Sequence, residues 1–369
     1  MKRRNLIKAL SAATVAGALS ACKPKEQDCK KNQSTGKKHN WKMVTAWPKN
    51  FPALGTGANF LAEKITRMTG GRITVSVYGG GELVPPLEVF DAVSGGTAQM
   101  GHAGSYYWKG KVPEAQFFGA VPFGMNAQEM NAWLYHGGGL DLWTELYAKH
   151  NLVPFPAGQT GVQMGGWFNK EINTKEDLHG LVMRIPGLGG EVLKRAGGSP
   201  KLLPGSELFT SLQTGNIDAT EWVGPYNDLA FGLHQAAKYY YYPGWHEPTA
   251  CLEAIINKEA FDTLEKDLQE IIKIACMATN QNMLSDFTAK NKTALDTLVN
   301  KHNVQLRQYP KEVLEELKTH AIAVFDEVGN NSEIGKRIYN SYKTFASQTR
   351  SWLDISEKAY FDAREPIRK

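Results

Sequence analysis

Pro204-Gly205-Ser206-Glu207-Leu208-Phe209, followed by Leu212 and Gly215, repeats Pro85-Pro86-Leu87-Glu88-Val89-Phe90, followed by Val93 and Gly96. Pro85 matches Pro204, Glu88 matches Glu207, Phe90 matches Phe209 and Gly96 matches Gly215, all at one offset. Each copy reads as a capped short helix, stopped by glycine and leading into a strand. A period this long is no solenoid repeat. It predicts two similar α/β lobes.

Outward from the repeat, strands and helices alternate. Trp41 to Trp47 is strand-like, and Ala53 to Met68 is an amphipathic helix ending at Gly70-Gly71. Ile73, Val75 and Val77 alternate as in a half-buried strand. A short helix over Leu87–Val93 and a strand over Ala98–Ala103 come next. Helices are expected near 127–135, 139–149, 188–196 and 206–214, and strands near 152–156, 162–169, 181–185, 199–203 and 217–222. That succession predicts parallel sheets covered by helices.

Past residue 260 the pattern turns helical. Ala260 to His302 contains no proline and carries Leu264, Leu268, Ile271, Ile272, Ala275, Met283, Phe287 and Leu298 at helical spacing. Such a helix spans about 60 Å, enough to cross both lobes. Further helices are expected over Lys311–Val328 and from Glu333 to roughly Tyr360. The last, with Ile338, Tyr342, Phe345, Trp352 and Ile355 on one stripe, suits packing on its own domain or on a second copy, and a homodimer is expected.

The N-terminus has a basic head (Lys2, Arg3, Arg4, Lys8), an apolar run from Ala9 to Leu19, and then Leu19-Ser20-Ala21-Cys22. This is the layout of a secretory signal, too short to span a bilayer as a mature helix. Its ending resembles the lipobox of bacterial lipoproteins, in which the cysteine is lipidated. Arg3-Arg4 resembles a twin-arginine signal. The expectation is a periplasmic protein held to a membrane through Cys22.

Charge follows from that. The formal charge of +5 includes four positive charges in residues 1–21 and a net four in residues 22–38, so the rest carries about −3. Nothing there suggests nucleic acid, whose binding needs many phosphate contacts. Residues 22–38 read as a flexible basic tether. Four cysteines do not make a disulfide framework, and Cys251 and Cys276 are expected as buried free thiols.

Several polar residues stand where ligands bind. Arg184 closes a predicted strand before a Gly-rich turn, the position at which open α/β sheets hold ligands. Its planar guanidinium can hold a carboxylate through two charge-assisted bonds. Glu221, Glu247 and the Gln163 amide supply oxygen donors suited to a hard cation. Tyr106 and Tyr107 follow a strand and can donate phenolic hydrogens at the cleft, and Trp222 and Trp245 offer apolar wall. Enzyme signatures are missing: no Gly-x-Ser-x-Gly elbow, no phosphate loop, no complete dinucleotide fingerprint. His246-Glu247 begins a zinc-protease motif, but Ala250 stands where its second histidine belongs.

From Trp41 to about Asn331 the chain resembles the extracytoplasmic solute-binding subunit of a tripartite ATP-independent periplasmic (TRAP) transporter. Gly180-Leu181-Val182-Met183-Arg184-Ile185-Pro186-Gly187 and Thr214-Gly215-Asn216-Ile217-Asp218-Ala219-Thr220-Glu221-Trp222 carry the resemblance. Gln163, the Glu221-Trp222 pair and Glu247 make it most similar to the branch that binds 2-oxo acids with a metal ion.

The resemblance implies a two-lobed periplasmic binding protein fold (type II-like) with a long bridging helix and a C-terminal helical extension. It implies that Arg184, Gln163, Tyr106, Tyr107 and Trp222 bind substrate. Gln163, Glu221, the Trp222 carbonyl and Glu247 would hold sodium or calcium. The partner it implies is an integral membrane TRAP permease. The expected organisation is a signal peptide (1–21), a tether (22–38), lobe I (39–165, with 253–330 returning to it), lobe II (166–252) and a C-terminal helix (331–369). Hinge strands are expected near 162–169 and 248–256. Alternative ligands are lactate with calcium, a C4-dicarboxylate or a sugar acid; a lipid-anchored hydrolase is the rival class.

Overall fold

A computed structural model describes residues 37–364. The signal sequence, the lipobox with Cys22, Cys29 and nearly all of the tether lie outside the described residues. Eleven strands are seen among the described residues: β1 (His39–Thr45), β2 (Ile73–Tyr78), β3 (Met100–Gly104), β4 (Leu152–Gln159), β5 (Gly166–Phe168), β6 (Val182–Arg184), β7 (Ser199–Lys201), β8 (Ala219–Thr220), β9 (Tyr239–Tyr242), β10 (Cys251–Asn257) and β11 (Gln305–Gln308). They form two sheets, ordered β2-β1-β3-β10-β4 and β11-β9-β5-β8-β6-β7.

The repeat has the expected form in both lobes. Pro86–Glu88 and Gly205–Glu207 are single 3₁₀ turns that run into the helices Val89–Ser94 and Leu208–Gln213. Gly96 and Gly215 then take left-handed conformations, φ 77° and 75°, which release the chain toward β3 and β8. Neither helix has a side-chain cap, contrary to expectation.

The sheets are mixed and not purely parallel. β10 runs antiparallel to β3 and β4, and β5 runs antiparallel to β8 and β9. The cause is the double crossing of the chain between sheets. β1 and β3 end toward the cleft, so β10, arriving from the other sheet, must start there and run away from it. β5 is in the same position in the second sheet.

Two further expectations are corrected. Helix from Ala260 is interrupted: a short helix, Lys258–Asp262, precedes the long one, Lys266–His302. Gln269 Nε2 donates to the carbonyls of Phe261 and Leu264, at 2.9 and 3.3 Å, satisfying groups that the break frees. Second, Gln305–Gln308, placed by sequence with the first lobe, pairs in parallel with β9 of the second sheet. The long helix ends at Asn303, in the left-handed conformation, on the second lobe's side.

The C-terminal helix Glu333–Ile355 packs its first half on its own chain. Tyr342 Oη accepts from Met125 N at 2.9 Å, and Trp133 Nε1 donates to Ser341 Oγ at 3.0 Å. Beyond it Trp352, Ile355, Tyr360 and Phe361 are all more than half exposed. The expected continuous helix to Tyr360 breaks at Ser356 and resumes over Glu357–Ala363. Cys251 and Cys276 are buried and unbridged. No described helix is long and apolar enough to cross a membrane.

One buried carboxyl ties strand to turn. Glu253 on β10 accepts from Trp108 Nε1 at 2.6 Å and Tyr147 Oη at 2.9 Å. Burial pushes this carboxyl up to about 8 despite both donors. Between pH 4.5 and 8 the unfolded chain has released this proton while the folded chain keeps it, so stability falls as pH rises. Glu253→Gln is expected to flatten that fall, by a few kcal/mol across the window. Urea titrations at pH 5 and 8 check it, and equal slopes for variant and parent would refute it.

Candidate ligand-binding site

Four strand ends converge where the sheets meet. β1 leads to Trp47, β3 leads into the turn Ser105–Trp108, β6 ends on Arg184, and β8 leads into Glu221-Trp222. Carboxyl ends of strands are where α/β sheets leave room for a ligand. Two crossovers close the side, residues 160–165 and 243–250. They are bonded to each other: Thr160 N donates to Ala250 O (3.2 Å), Gln163 N to Glu247 O (3.2 Å) and Gly244 N to Gln163 O (3.0 Å). Gln163 and Glu247 thus reach the site from the two chain segments that join the lobes.

Trp47, Leu54, Tyr106, Tyr107, Thr160, Gln163, Arg184, Trp222, Val223 and Leu252 enclose a cavity of only ≈ 10 Å³, nearly filled by their own side chains. A second, fully packed seam lies on the other side of Tyr106, against Gly187, His246 and Glu247. Gly187 takes φ 60°, and a Cβ there would sit 3.0 Å from Tyr106 Cβ. The Gly-rich turn therefore lets one lobe's backbone seat against the other lobe's tyrosine.

Arg184 is 1% exposed and held by protein groups on both lobes. It pairs with the Glu221 carboxylate, donates to Glu221 O at 3.2 Å and Leu203 O at 3.1 Å, and reaches Tyr107 Oη at 3.5 Å. Burial works against its charge, but Glu221 and the two phenols more than offset this, and the guanidinium stays charged. Glu221 is also met by His246 Nε2 at 3.4 Å.

Glu247 is 4% exposed, and burial, followed by the charge of Glu221, holds its carboxyl well above the usual range. Gln163 Nε2 donates to Glu247 at 2.7 Å and to Thr160 Oγ1 at 3.2 Å. Burial pushes Tyr107 up to about 12 and Tyr106 well above its ordinary value, so both remain donors at neutral pH.

Could these residues hold a cation? Gln163 directs both amide hydrogens at protein acceptors, and its Oε1 is buried with no described partner. That orphaned oxygen, two carboxylates and a backbone carbonyl form a hard-donor set. Among the described residues no group of three or more His, Cys, Asp and Glu is placed to hold a metal ion. The residues fit a cation bound partly by neutral oxygens.

All but one of the expected residues meet at one place: Arg184, Gln163, Tyr106, Tyr107 and Trp222 line the cavity, and Glu221 and Glu247 are buried beside them. Trp245 does not; it stacks on Phe123 at 5.8 Å. Direct pairing of Arg184 with Glu221 was not anticipated. Trp47, Leu54, Thr160, Val223, Leu252 and His246 were missed. Trp47 follows the end of β1 just as Tyr106 follows β3, so the same strand-end argument would have found it. Leu54 and Leu252 carry no local signal, being ordinary apolar residues at the start of a helix and in a strand.

Residues 43–331 match the model of the DctP family, bacterial extracellular solute-binding protein, family 7. The chain belongs to this family. A monocarboxylate 2-oxoacid-binding periplasmic protein of Nostoc sp. (strain PCC 7120) is 42% identical over 98% of both chains. A TRAP periplasmic solute-binding protein from Pseudoalteromonas atlantica T6c, solved with sodium and pyruvate, is 42% identical with a TM-score of 0.87. One from Colwellia psychrerythraea, solved with calcium and pyruvate, is also 42% identical, with a TM-score of 0.86. Each alignment covers 89% of this chain and 100% of the other. As a TRAP solute-binding protein the molecule is an extracytoplasmic transport component and not an enzyme.

Proposed function

We propose that this TRAP solute-binding protein captures a small 2-oxo monocarboxylate, of the pyruvate or 2-oxobutyrate type, together with a sodium or calcium ion. The observation that carries the reading is one small buried cavity lined by a guanidinium and an orphaned amide oxygen, with two carboxylates buried beside it. Arg184 takes the substrate carboxylate in its fork. Tyr106 and Tyr107 donate to substrate oxygens, Gln163 borders substrate and ion, and Trp222 with Trp47 and Leu54 walls the acyl tail. Gln163, Glu221, the Trp222 carbonyl and Glu247 hold the ion. A bound cation neutralises the carboxylates and offers coordination to a ligand oxygen. The relatives solved with pyruvate and either ion support the same reading.

Calorimetric titration of demetallated protein tests it, with pyruvate, 2-oxobutyrate, lactate and succinate, each in sodium, in calcium and with chelator. Ion-dependent micromolar binding of the 2-oxo acids is expected. Preference for lactate with calcium changes the substrate; no binding of any acid removes the reading.

The protein delivers its ligand to membrane permease subunits, tethered by lipid on Cys22. The exposed Trp352, Ile355, Tyr360 and Phe361 supply the contact for a second copy. Sedimentation equilibrium should give a dimer, and Trp352→Glu with Ile355→Glu should give a folded monomer. A monomeric parent sinks this assignment.

A further inference from the structure

Between β1 and the helix Leu54–Met68, the chain reaches over to touch the second lobe. Phe51 stacks on Phe231, 4.2 Å between centroids, and meets Trp222 edge-on at 6.4 Å. Phe231 ends the helix Pro225–Phe231, which lies in sequence between two strands of the second sheet. From that helix Asn227, 0% exposed, donates through Nδ2 to the Pro52 carbonyl at 2.9 Å.

The same carbonyl accepts from Leu54 N at 2.6 Å, with Ala53 between them at φ 54°, ψ −52°. A carbonyl bonded to the amide two residues on, around a residue of positive φ and negative ψ, is a γ-turn of the rare, strained kind. Alanine has no reason of its own to adopt it, and such strain persists where the surroundings over-determine the backbone. Here Asn227 and Phe231 do so, and both belong to the other lobe. The residue delivered by the turn, Leu54, is a wall of the ligand cavity.

We propose that Asn227 and the γ-turn at Ala53 form a closure latch: docking of Pro52 on Asn227 holds Leu54 against the acyl tail of the bound ligand. Asn227 is a positioning residue that touches no ligand. Opening the lobes breaks the Asn227 bond and the Phe51–Phe231 stack together, and the turn relaxes. Closure therefore sets the length of the pocket, and the latch slows escape without affecting entry. The ligand side of this inference rests on the 2-oxo acid reading; the lobe contact does not.

Stopped-flow tryptophan fluorescence on the parent, Asn227→Ala and Ala53→Gly, with pyruvate and 2-oxooctanoate in calcium, tests it. Asn227→Ala should raise koff for pyruvate about tenfold at nearly unchanged kon, and narrow the preference for the short acid. Ala53→Gly relieves the turn in place, so its koff should fall below that of the parent. A folded Asn227→Ala with parental koff and parental preference overturns the latch, as does faster release from Ala53→Gly. Small-angle scattering of the ligand-free proteins gives the second arm. Asn227→Ala should be more expanded than the parent and Ala53→Gly no more so. If the parent binds none of the acids, the ligand reading falls and this arm alone decides: equal radii for all three refute the latch.

Discussion

Arg184→Ala should lose binding of every 2-oxo acid by about a hundred- to several-thousandfold, because a buried carboxylate left without its cation costs roughly 3–5 kcal/mol. The same change should lower the stability of the ligand-free protein by a comparable amount. Glu221, 1% exposed, would keep only His246 at 3.4 Å, and the Leu203 carbonyl would lose its donor. Arg184→Lys separates the effects. An ammonium can restore charge beside Glu221, recovering part of the stability, but it lacks the planar fork that orients a carboxylate. Calorimetry and thermal melts on the two variants check both halves. Retention of pyruvate binding within tenfold in Arg184→Ala would move the substrate carboxylate to another group.

Glu247→Gln should push function and stability in opposite directions. Burial and the Glu221 charge hold the Glu247 carboxyl well above its ordinary value, so the folded state binds this proton more tightly than the unfolded state. That makes Glu247 an increasing burden on stability as pH rises above the unfolded value of 4.5. Glutamine removes the burden and still accepts from Gln163 Nε2. The ligand-free variant is expected to gain a kcal/mol or more at pH 7, while ion-dependent ligand binding weakens by roughly two orders of magnitude. Melts with chelator and titrations with calcium give the two readings. A variant less stable than the parent at pH 7 would mean that Glu247 already has an unrecognised partner in the ligand-free protein.

Residue pattern alone located these groups with uneven success, for physical reasons. Arg184, Tyr106 and Tyr107 were legible because the end of a strand in an α/β sheet is a place with a meaning, and a polar or aromatic residue there stands out. Glu221, Glu247 and Gln163 carry no comparable local signal and were picked out by the family resemblance. What sequence could not supply was direction. The mixed sheets follow from where the chain crosses between lobes, and no local propensity records a crossing. The interruption at 263–265 and the strand Gln305–Gln308 were lost for a similar reason: the first depends on the Gln269 side chain, the second on a partner more than sixty residues away. The Arg184–Glu221 contact joins residues 37 apart in sequence at the ends of parallel neighbouring strands, visible only once β6 and β8 are known to pair.

That contact has a consequence for how capture is regulated. Glu221 is a carboxylate tethered beside the guanidinium that takes the substrate carboxylate, so it is a built-in competitor. A tethered rival acts at a high effective concentration that no dilution removes. Apparent affinity for the acid is then reduced by the fraction of molecules in which Arg184 is already satisfied. A cation that draws Glu221 toward itself removes the rival, and so raises the affinity for the acid. Reciprocity requires the acid to raise the affinity for the cation by the same factor. The molecule would respond to the product of two concentrations, staying largely empty wherever either solute is scarce.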